Sequence, residues 1–227
     1  GTHAGGSNYS FTFGSGVTAG DNVYYYIVAQ DNAGTPNVIA NPATGAAGYS
    51  ANPPAASTPP SGPSSYNISN TIGGTYTVGA AGTYPTLTAA VNAYNTSCLS
   101  GPVVFNLIDA TYSGSETFPI VIGNNPDASA TNTLTIKPSL ANTTISGSSA
   151  SAVFILNGAD YVTINGSISG TSNSICPPVS ASRDLTISNT NTGTSSAVIW
   201  LQTNAADGAT NNAILNCNIV GNSTTTT

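Results

Sequence analysis

Charge is what this sequence most lacks. Of its 227 residues only 4% are charged, and the cations are Lys137 and Arg183 alone. A typical soluble protein carries about 25% charge, so this surface has to be built from Ser, Thr, Asn and Gly. Nucleic-acid binding needs clustered Lys and Arg to release counterions. An anionic membrane surface needs a polybasic segment. Two separated cations under a net charge of −6 argue against both. No apolar run approaches the roughly 20 residues of a membrane-spanning helix, so membrane insertion is not expected. Histidine occurs once, as His3, and cysteine three times, as Cys98, Cys176 and Cys217, with no CxxC pair. That is too few ligands for a zinc site, and no metal or cofactor is expected.

What is present is 39% hydrophobic residues in short periodic runs. Disordered chains pair low hydrophobicity with high net charge, so this chain reads as folded and strand-rich. Residues 1–50 contain Ser10-Phe11-Thr12-Phe13 and the run Asp21-Asn22-Val23-Tyr24-Tyr25-Tyr26-Ile27-Val28-Ala29-Gln30-Asp31. The second run is aromatic and β-branched and is flanked by turn residues, a strong strand signal. It resembles the penultimate strand of immunoglobulin-like and fibronectin type III-like modules. A sandwich needs about seven strands. Residues 1–50 supply two or three, so they read as the C-terminal part of such a module, with the rest expected before Gly1. Residues 51–65 are dense in Pro and Ser and read as an extended linker.

Residues 66–227 read as a different domain. Leu87, Ala90, Val91 and Tyr94 fall at i, i+3, i+4 and i+7, one face of a helix. Thr83 or Thr86 can cap it, and Pro85 suits a first turn. Short apolar strands follow: Val103–Leu107, Phe118–Ile122, Leu134–Ile136, Thr143–Ser146, Val153–Leu156, Val162–Ile164, Leu185–Ile187, Ala197–Leu201 and Ala213–Ile219. Leu134-Thr135-Ile136, Val162-Thr163-Ile164 and Leu185-Thr186-Ile187 are one apolar-Thr-Ile triplet written three times. Such self-similarity marks stacked repeats. The fold expected is all-β: a parallel β-helix with one N-terminal capping helix. An antiparallel sandwich is the competitor. It is disfavoured because Asn157-Gly158 and Asn165-Gly166 flank a strand on both sides and do not join two strands in a tight hairpin.

The stretch from Gly74 onward resembles the right-handed parallel β-helices of surface proteins that Bacteroidota export by type IX secretion. The resemblance is carried by Gly74-Thr75-Tyr76-Thr77-Val78-Gly79, Thr83-Tyr84-Pro85-Thr86-Leu87-Thr88-Ala89-Ala90-Val91, Gly101-Pro102-Val103-Val104-Phe105-Asn106-Leu107, Asn157-Gly158-Ala159-Asp160-Tyr161-Val162-Thr163-Ile164-Asn165-Gly166 and Asn211-Asn212-Ala213-Ile214-Leu215-Asn216-Cys217. It implies a long, multi-domain extracellular protein at the bacterial cell surface, with roles in adhesion, gliding or matrix. It also implies contact with the secretion machinery through a C-terminal sorting domain that these residues do not include. Partners would be surface glycans or other cell-surface proteins.

Three function classes follow: a structural or adhesive segment without catalysis, which is the reading adopted, a carbohydrate-binding β-helix, or a non-catalytic part of a polysaccharide-degrading enzyme. Catalysis on glycans needs two carboxylates facing one bond. Asp109, Asp127, Asp160 and Asp207 sit in turn contexts, where a carboxylate is expected to bond its own backbone. Glu116 completes the acids before Arg183-Asp184, which read as a local ion pair. Trp200 is the candidate ligand residue. If Ile199 and Leu201 face inward it faces out, where an indole can stack on a sugar. Tyr24, Tyr25 and Tyr26 read as strand packing. Cys217, in an alternating apolar run, is expected buried and free. Cys98 and Cys176, both assigned to loops, are the candidate disulfide, which an extracellular setting permits.

Overall fold

The computed structural model describes residues 2–5, 8–11, 15–169, 182–205 and 207–222. The chain divides into two compact units, Gly1–Asn70 and Thr71–Thr227. It is mostly β with one helix.

The first unit holds β1 (Thr2–Gly5), β2 (Asn8–Ser10), β3 (Asn22–Tyr25), β4 (Ile27–Gln30), β5 (Val38–Asn41), β6 (Ala47–Ser50), β7 (Ala55–Thr58) and β8 (Ser64–Asn67). They pair antiparallel two by two: β1 with β2, β3 with β8, β4 with β5, and β6 with β7. The aromatic run expected as one strand breaks at Tyr26, so its halves join different partners. Residues 51–65, expected as a linker, instead carry β7 and the start of β8. The reason is local: Ala55–Thr58 offers four consecutive proline-free residues to the β6 ladder. The first unit has little core. Ala40 is its one buried hydrophobic residue among those described, while Tyr24 is 64% and Ile39 63% exposed.

The second unit opens with β9 (Thr71–Val78) and α1 (Leu87–Thr96). There follow β10 (Cys98–Leu107), β11 (Thr111–Tyr112), β12 (Ile120–Gly123), β13 (Leu134–Pro138), β14 (Thr143–Gly147) and β15 (Ala152–Asn157). It ends with β16 (Val162–Asn165), β17 (Leu185–Asn189), β18 (Ala197–Gln202), β19 (Ala213–Leu215) and β20 (Cys217–Val220). These strands form three sheets in which every pair is parallel: β9-β10-β13-β16-β19, β11-β14-β17-β20 and β12-β15-β18. From β10 onward the chain visits the sheets in fixed rotation. β15 and β16 are consecutive, yet they lie in different sheets and form no hairpin.

Register carries the core. Side chains alternate across a strand, so in-register parallel neighbours stack like on like. Val103, Leu134 and Val162 align, as do Phe105, Ile136 and Ile164, and all six are fully buried. Val104, Thr135 and Thr163 align on the opposite face and are half-exposed. The triplet Leu185-Thr186-Ile187 stacks instead on Thr143-Thr144-Ile145, in another sheet. The three triplets thus share an in-out alternation, not a position around the circuit. At the last strands the pattern opens. Leu156 is fully buried but its neighbour Leu201 is 50% exposed, and Ile187 is fully buried but Ile219 is 48% exposed, because β18 and β20 end their sheets.

The helix is as its spacing predicts. Thr86 caps it, its Oγ1 accepting the Ala89 N–H at 3.0 Å, and Leu87, Ala90, Val91 and Tyr94 are buried against β9, β10 and β12. Two local expectations fail. Ala213–Ile219 is not one strand: Asn216 has φ 53° and turns the chain from β19 into β20, so Leu215 aligns with Asn165 while Cys217 aligns with Leu185. Asn tolerates that left-handed backbone better than most residues. Cys98 lies not in a loop but at the start of β10, opposite Thr71. At the same corner Gly166 is required by close approach, since a Cβ there would meet the Asn216 carbonyl oxygen at 2.2 Å.

Replacing Phe154, fully buried in the central strand of its sheet, by Ala is expected to lower the unfolding free energy by about 3–5 kcal/mol. Thr163→Ala, on the outward column, is expected to change it by under about 0.5 kcal/mol. Urea denaturation of both variants checks this, and equal losses would refute the assignment of faces.

Candidate functional site

Chemistry in so uncharged a chain has few places to start, and the eight carboxylates come first. In the first unit they behave as turn acids. Asp21 Oδ2 accepts the Thr18 N–H at 2.7 Å. Asp31 accepts the Asn37 side-chain amide and the N–H groups of Asn37 and Ala33, which together hold its pKa below the usual carboxylate value.

In the second unit the expectation of bonds to the acid's own turn is corrected. Each partner lies far away in sequence. Asp109 Oδ2 accepts the Ala80 N–H at 2.7 Å, 29 residues away. Asp127 Oδ2 accepts the Leu99 N–H at 3.0 Å, 28 residues away. Asp160 Oδ1 accepts both the N–H and the hydroxyl of Thr210 at 2.6 Å. Asp184 Oδ2 takes the Ile168 N–H at 3.0 Å, a backbone partner where its neighbour Arg183 was expected. Asp207 is bridged to the Asn124 side-chain amide. Glu116 does most. Its Oε1 accepts the Leu87 N–H at 2.8 Å, and its Oε2 accepts the Thr88 N–H at 2.7 Å and the Thr88 hydroxyl at 2.6 Å. It therefore caps the first turn of α1 from a distant loop, where the helix dipole favours a negative charge. Every carboxylate of the chain is thus committed to a neighbouring donor.

Buried amides act in the same way, and sequence reasoning did not find them. Asn189 donates to the carbonyls of Ser149 and Ala197 at 2.9 and 2.6 Å, and accepts from the N–H groups of Ser149 and Asn191 at 3.1 Å. Asn125 donates to Tyr94 and Ser97. Their only local signal is an Asn just at or beyond a strand end. Among the described residues no group of three His, Cys, Asp or Glu side chains is placed to hold a metal ion. Also among them, no helix is long and apolar enough to cross a membrane.

Of the cysteines, Cys98 is exposed with a free thiol, and Cys176 lies outside the described residues. Cys217 is free but only partly buried. Burial pushes its thiol up to about 11.

Trp200 is 43% exposed and faces outward on β18. It aligns with Ile155 on β15, which aligns with Val121 on β12, 37% exposed. Two residues along, Asn157 and Gln202 align, with Gln202 Nε2 donating to Asn157 Oδ1 at 3.0 Å. A groove of about 280 Å³ adjoins Val121 between α1 and β12, lined by Thr88, Asn92, Asn95 and Thr117 among others. No charged residue lies in the three strands of this sheet. In the first unit, Tyr24, Tyr25 and Tyr26, expected as packing residues, line a shallow groove of about 730 Å³ with Phe11, Ile27 and Tyr66. Tyr25 and Tyr66 meet there edge to face at 6.1 Å. No family model matches the chain, and no curated protein or solved structure matches it.

Glu116→Ala leaves two helix N–H groups and a hydroxyl without their acceptor. It is expected to cost about 1–3 kcal/mol, read as a drop in melting temperature. An unchanged melting temperature would show that water replaces the carboxylate. For the thiols, iodoacetamide at pH 8 is expected to label Cys98 in native, reduced protein and to spare Cys217, whose thiolate fraction three units below its pKa is about one in a thousand. Labelling of Cys217 rises as pH approaches 11. Equal labelling at pH 8 would contradict its burial, and a peptide map of unreduced protein tests the Cys98–Cys176 bond.

Proposed function

We propose that this chain is a structural or adhesive segment of a long, secreted bacterial cell-surface protein, and that it performs no catalysis itself. In this reading residues 71–222 are the first circuits of a right-handed parallel β-helix, with α1 closing its N-terminal end. The first unit is then the closing part of an immunoglobulin-like module whose remaining strands lie outside these residues.

The observation that carries the reading is the use made of the acids. A glycan-cleaving site needs one carboxyl as proton donor and a second as base or nucleophile, both open to substrate. Here the acids accept backbone N–H groups or side-chain amides, and in the second unit those bonds join segments distant in sequence. A chain that spends its few charges on holding its own circuits together suits a scaffold. The three parallel sheets visited in rotation support the β-helix. The exposed Tyr24, Ile27 and Ile39, with Ala40 the one buried hydrophobic residue among those described, support an incomplete module. A charge-poor Ser, Thr and Asn surface fits an extracellular setting.

An antibody raised against the purified chain is expected to label intact, unpermeabilised cells of the source bacterium, and brief protease treatment of those cells should remove the signal. Labelling that appears only after permeabilisation would overturn the surface reading. Reducing-sugar and unsaturated-product assays on a polysaccharide panel are expected to show no turnover. Turnover that an acid-to-amide substitution abolishes would restore an enzyme.

A further inference from the structure

The outward face of the sheet β12-β15-β18 is an apolar strip beside an amide pair, with no charge in its strands. In-register pairing aligns Val121, Ile155 and Trp200 across it; Val121 and Trp200, on the two outer strands, are 37% and 43% exposed, while Ile155 on the central strand is buried at 8%. Parallel strands lie about 4.8 Å apart, so Trp200 stands about 10 Å from Val121. A sugar ring presents an apolar C–H face and a rim of hydroxyls. An indole face matches the first, and amides match the second.

The amides are in place. Gln202 Nε2 is used on Asn157 Oδ1. That bond fixes both side chains, and among the described residues it leaves the Asn157 Nδ2 donors and the Gln202 Oε1 acceptor without another partner. One hydroxyl can accept from the first and donate to the second. At the far end of the strip, the groove beside Val121 is lined by Thr88, Asn92, Asn95 and Thr117 together with Val91, Pro119 and Ile120, the Thr88 hydroxyl being held by Glu116.

Charge decides between ligands. An anionic glycan or a nucleic acid would need a cation to offset desolvation of its charge. Lys137 lies on β13 and Arg183 just before β17, both in other sheets. The acids closest to the amide row in sequence, Asp160 and Asp207, are held by Thr210 and Asn124.

We infer that this face is a binding strip for a neutral, extended polysaccharide, with one sugar ring stacked on Trp200, its hydroxyls read by Asn157 and Gln202, and the chain running over Val121 toward the groove at α1. The inference rests on the surface-protein reading for its source of glycan.

Trp200 is the only tryptophan, so its fluorescence reports the site directly. Titrating the purified chain with neutral β-linked gluco-, xylo- and manno-oligosaccharides is expected to give a saturable emission shift with at least one series. Calorimetry with that series is expected to show binding about tenfold weaker in Trp200→Ala, with the melting temperature unchanged. Trp200→Phe is expected to retain most of the affinity, and Gln202→Leu to lose several-fold. Gln202→Leu carries the same test if Trp200→Ala does not fold. Absence of any shift at millimolar sugar, binding unaffected by Trp200→Ala and Gln202→Leu, or preference for anionic polysaccharides would each overturn the inference. Cell labelling involves no sugar and the titration involves no cell, so failure of the surface reading and failure of the strip are separate results.

Discussion

Backbone N–H groups at the corners between sheets are the constraint on which the second unit depends. Within a strand each amide finds a partner in the neighbouring ladder. Where the chain turns from one sheet to the next it leaves that ladder, and its donors take side-chain acceptors, both where the bond is part-buried, at Leu99, and where it is exposed, at Ala80 and Thr210. The protein meets this demand with side chains from the turn above or below. Asp109, Asp127 and Asp160 reach across circuits to Ala80, Leu99 and Thr210, and Asn189 serves Ser149 and Ala197 together. Each such bond fixes the position of one corner against the next. Asp127 in this way ties the approach to β13 to the start of β10, beside the packed columns Val103–Leu134 and Phe105–Ile136.

This arrangement explains the odd composition. A solvated charge on a parallel stack recurs at the strand spacing of about 4.8 Å, and like charges in such columns repel. A surface of Thr, Ser and Asn has no such penalty, as the column Val104–Thr135–Thr163 illustrates. The few acids that remain are those whose charge is useful, because a carboxylate accepts from backbone N–H more strongly than a neutral oxygen. Glu116 is the extreme case: one side chain satisfies the first turn of the only helix and joins the loop before β12 to it.

What could be read from the sequence follows the range of the interaction. The helix was legible because Leu87, Ala90, Val91 and Tyr94 lie within two turns of one another, and Thr86 caps locally. Strand alternation was legible for the same reason. Partners 28 to 50 residues apart were not legible. The turn acids looked local because Asp in a turn generally is, as Asp21 and Asp31 in the first unit show. β11 was missed because Thr111-Tyr112 is too short to alternate. The corner at Asn216 was missed because Leu215, Cys217 and Ile219 continue a period of two straight through it, although the inward positions of β19 and β20 are Ile214, Cys217 and Ile219. The Pro- and Ser-rich stretch misled because composition describes the isolated chain, while β6 and β3 supply partners that composition does not contain.

The two units answer the same stability problem in different ways. In the second, fully buried columns recur through all three parallel sheets. In the first, the strands pair two by two, and Ala40 is the one buried hydrophobic residue among those described. A lone two-stranded ribbon is marginal in water. Tyr24, Tyr25, Ile27, Ile39, Tyr49 and Tyr66, all exposed, are the residue types that β-sandwiches put between their sheets. Among its described residues the first unit therefore exposes side chains of the types that elsewhere form a sandwich core. The exposure of Leu201 and Ile219 at the last circuit has the same physical meaning on a smaller scale. Trp200 fits the same pattern: on the end strand β18 it is 43% exposed, while Ile155, its neighbour on the central strand β15, is 8% exposed, so the exposure of a column depends on whether a strand flanks it on both sides.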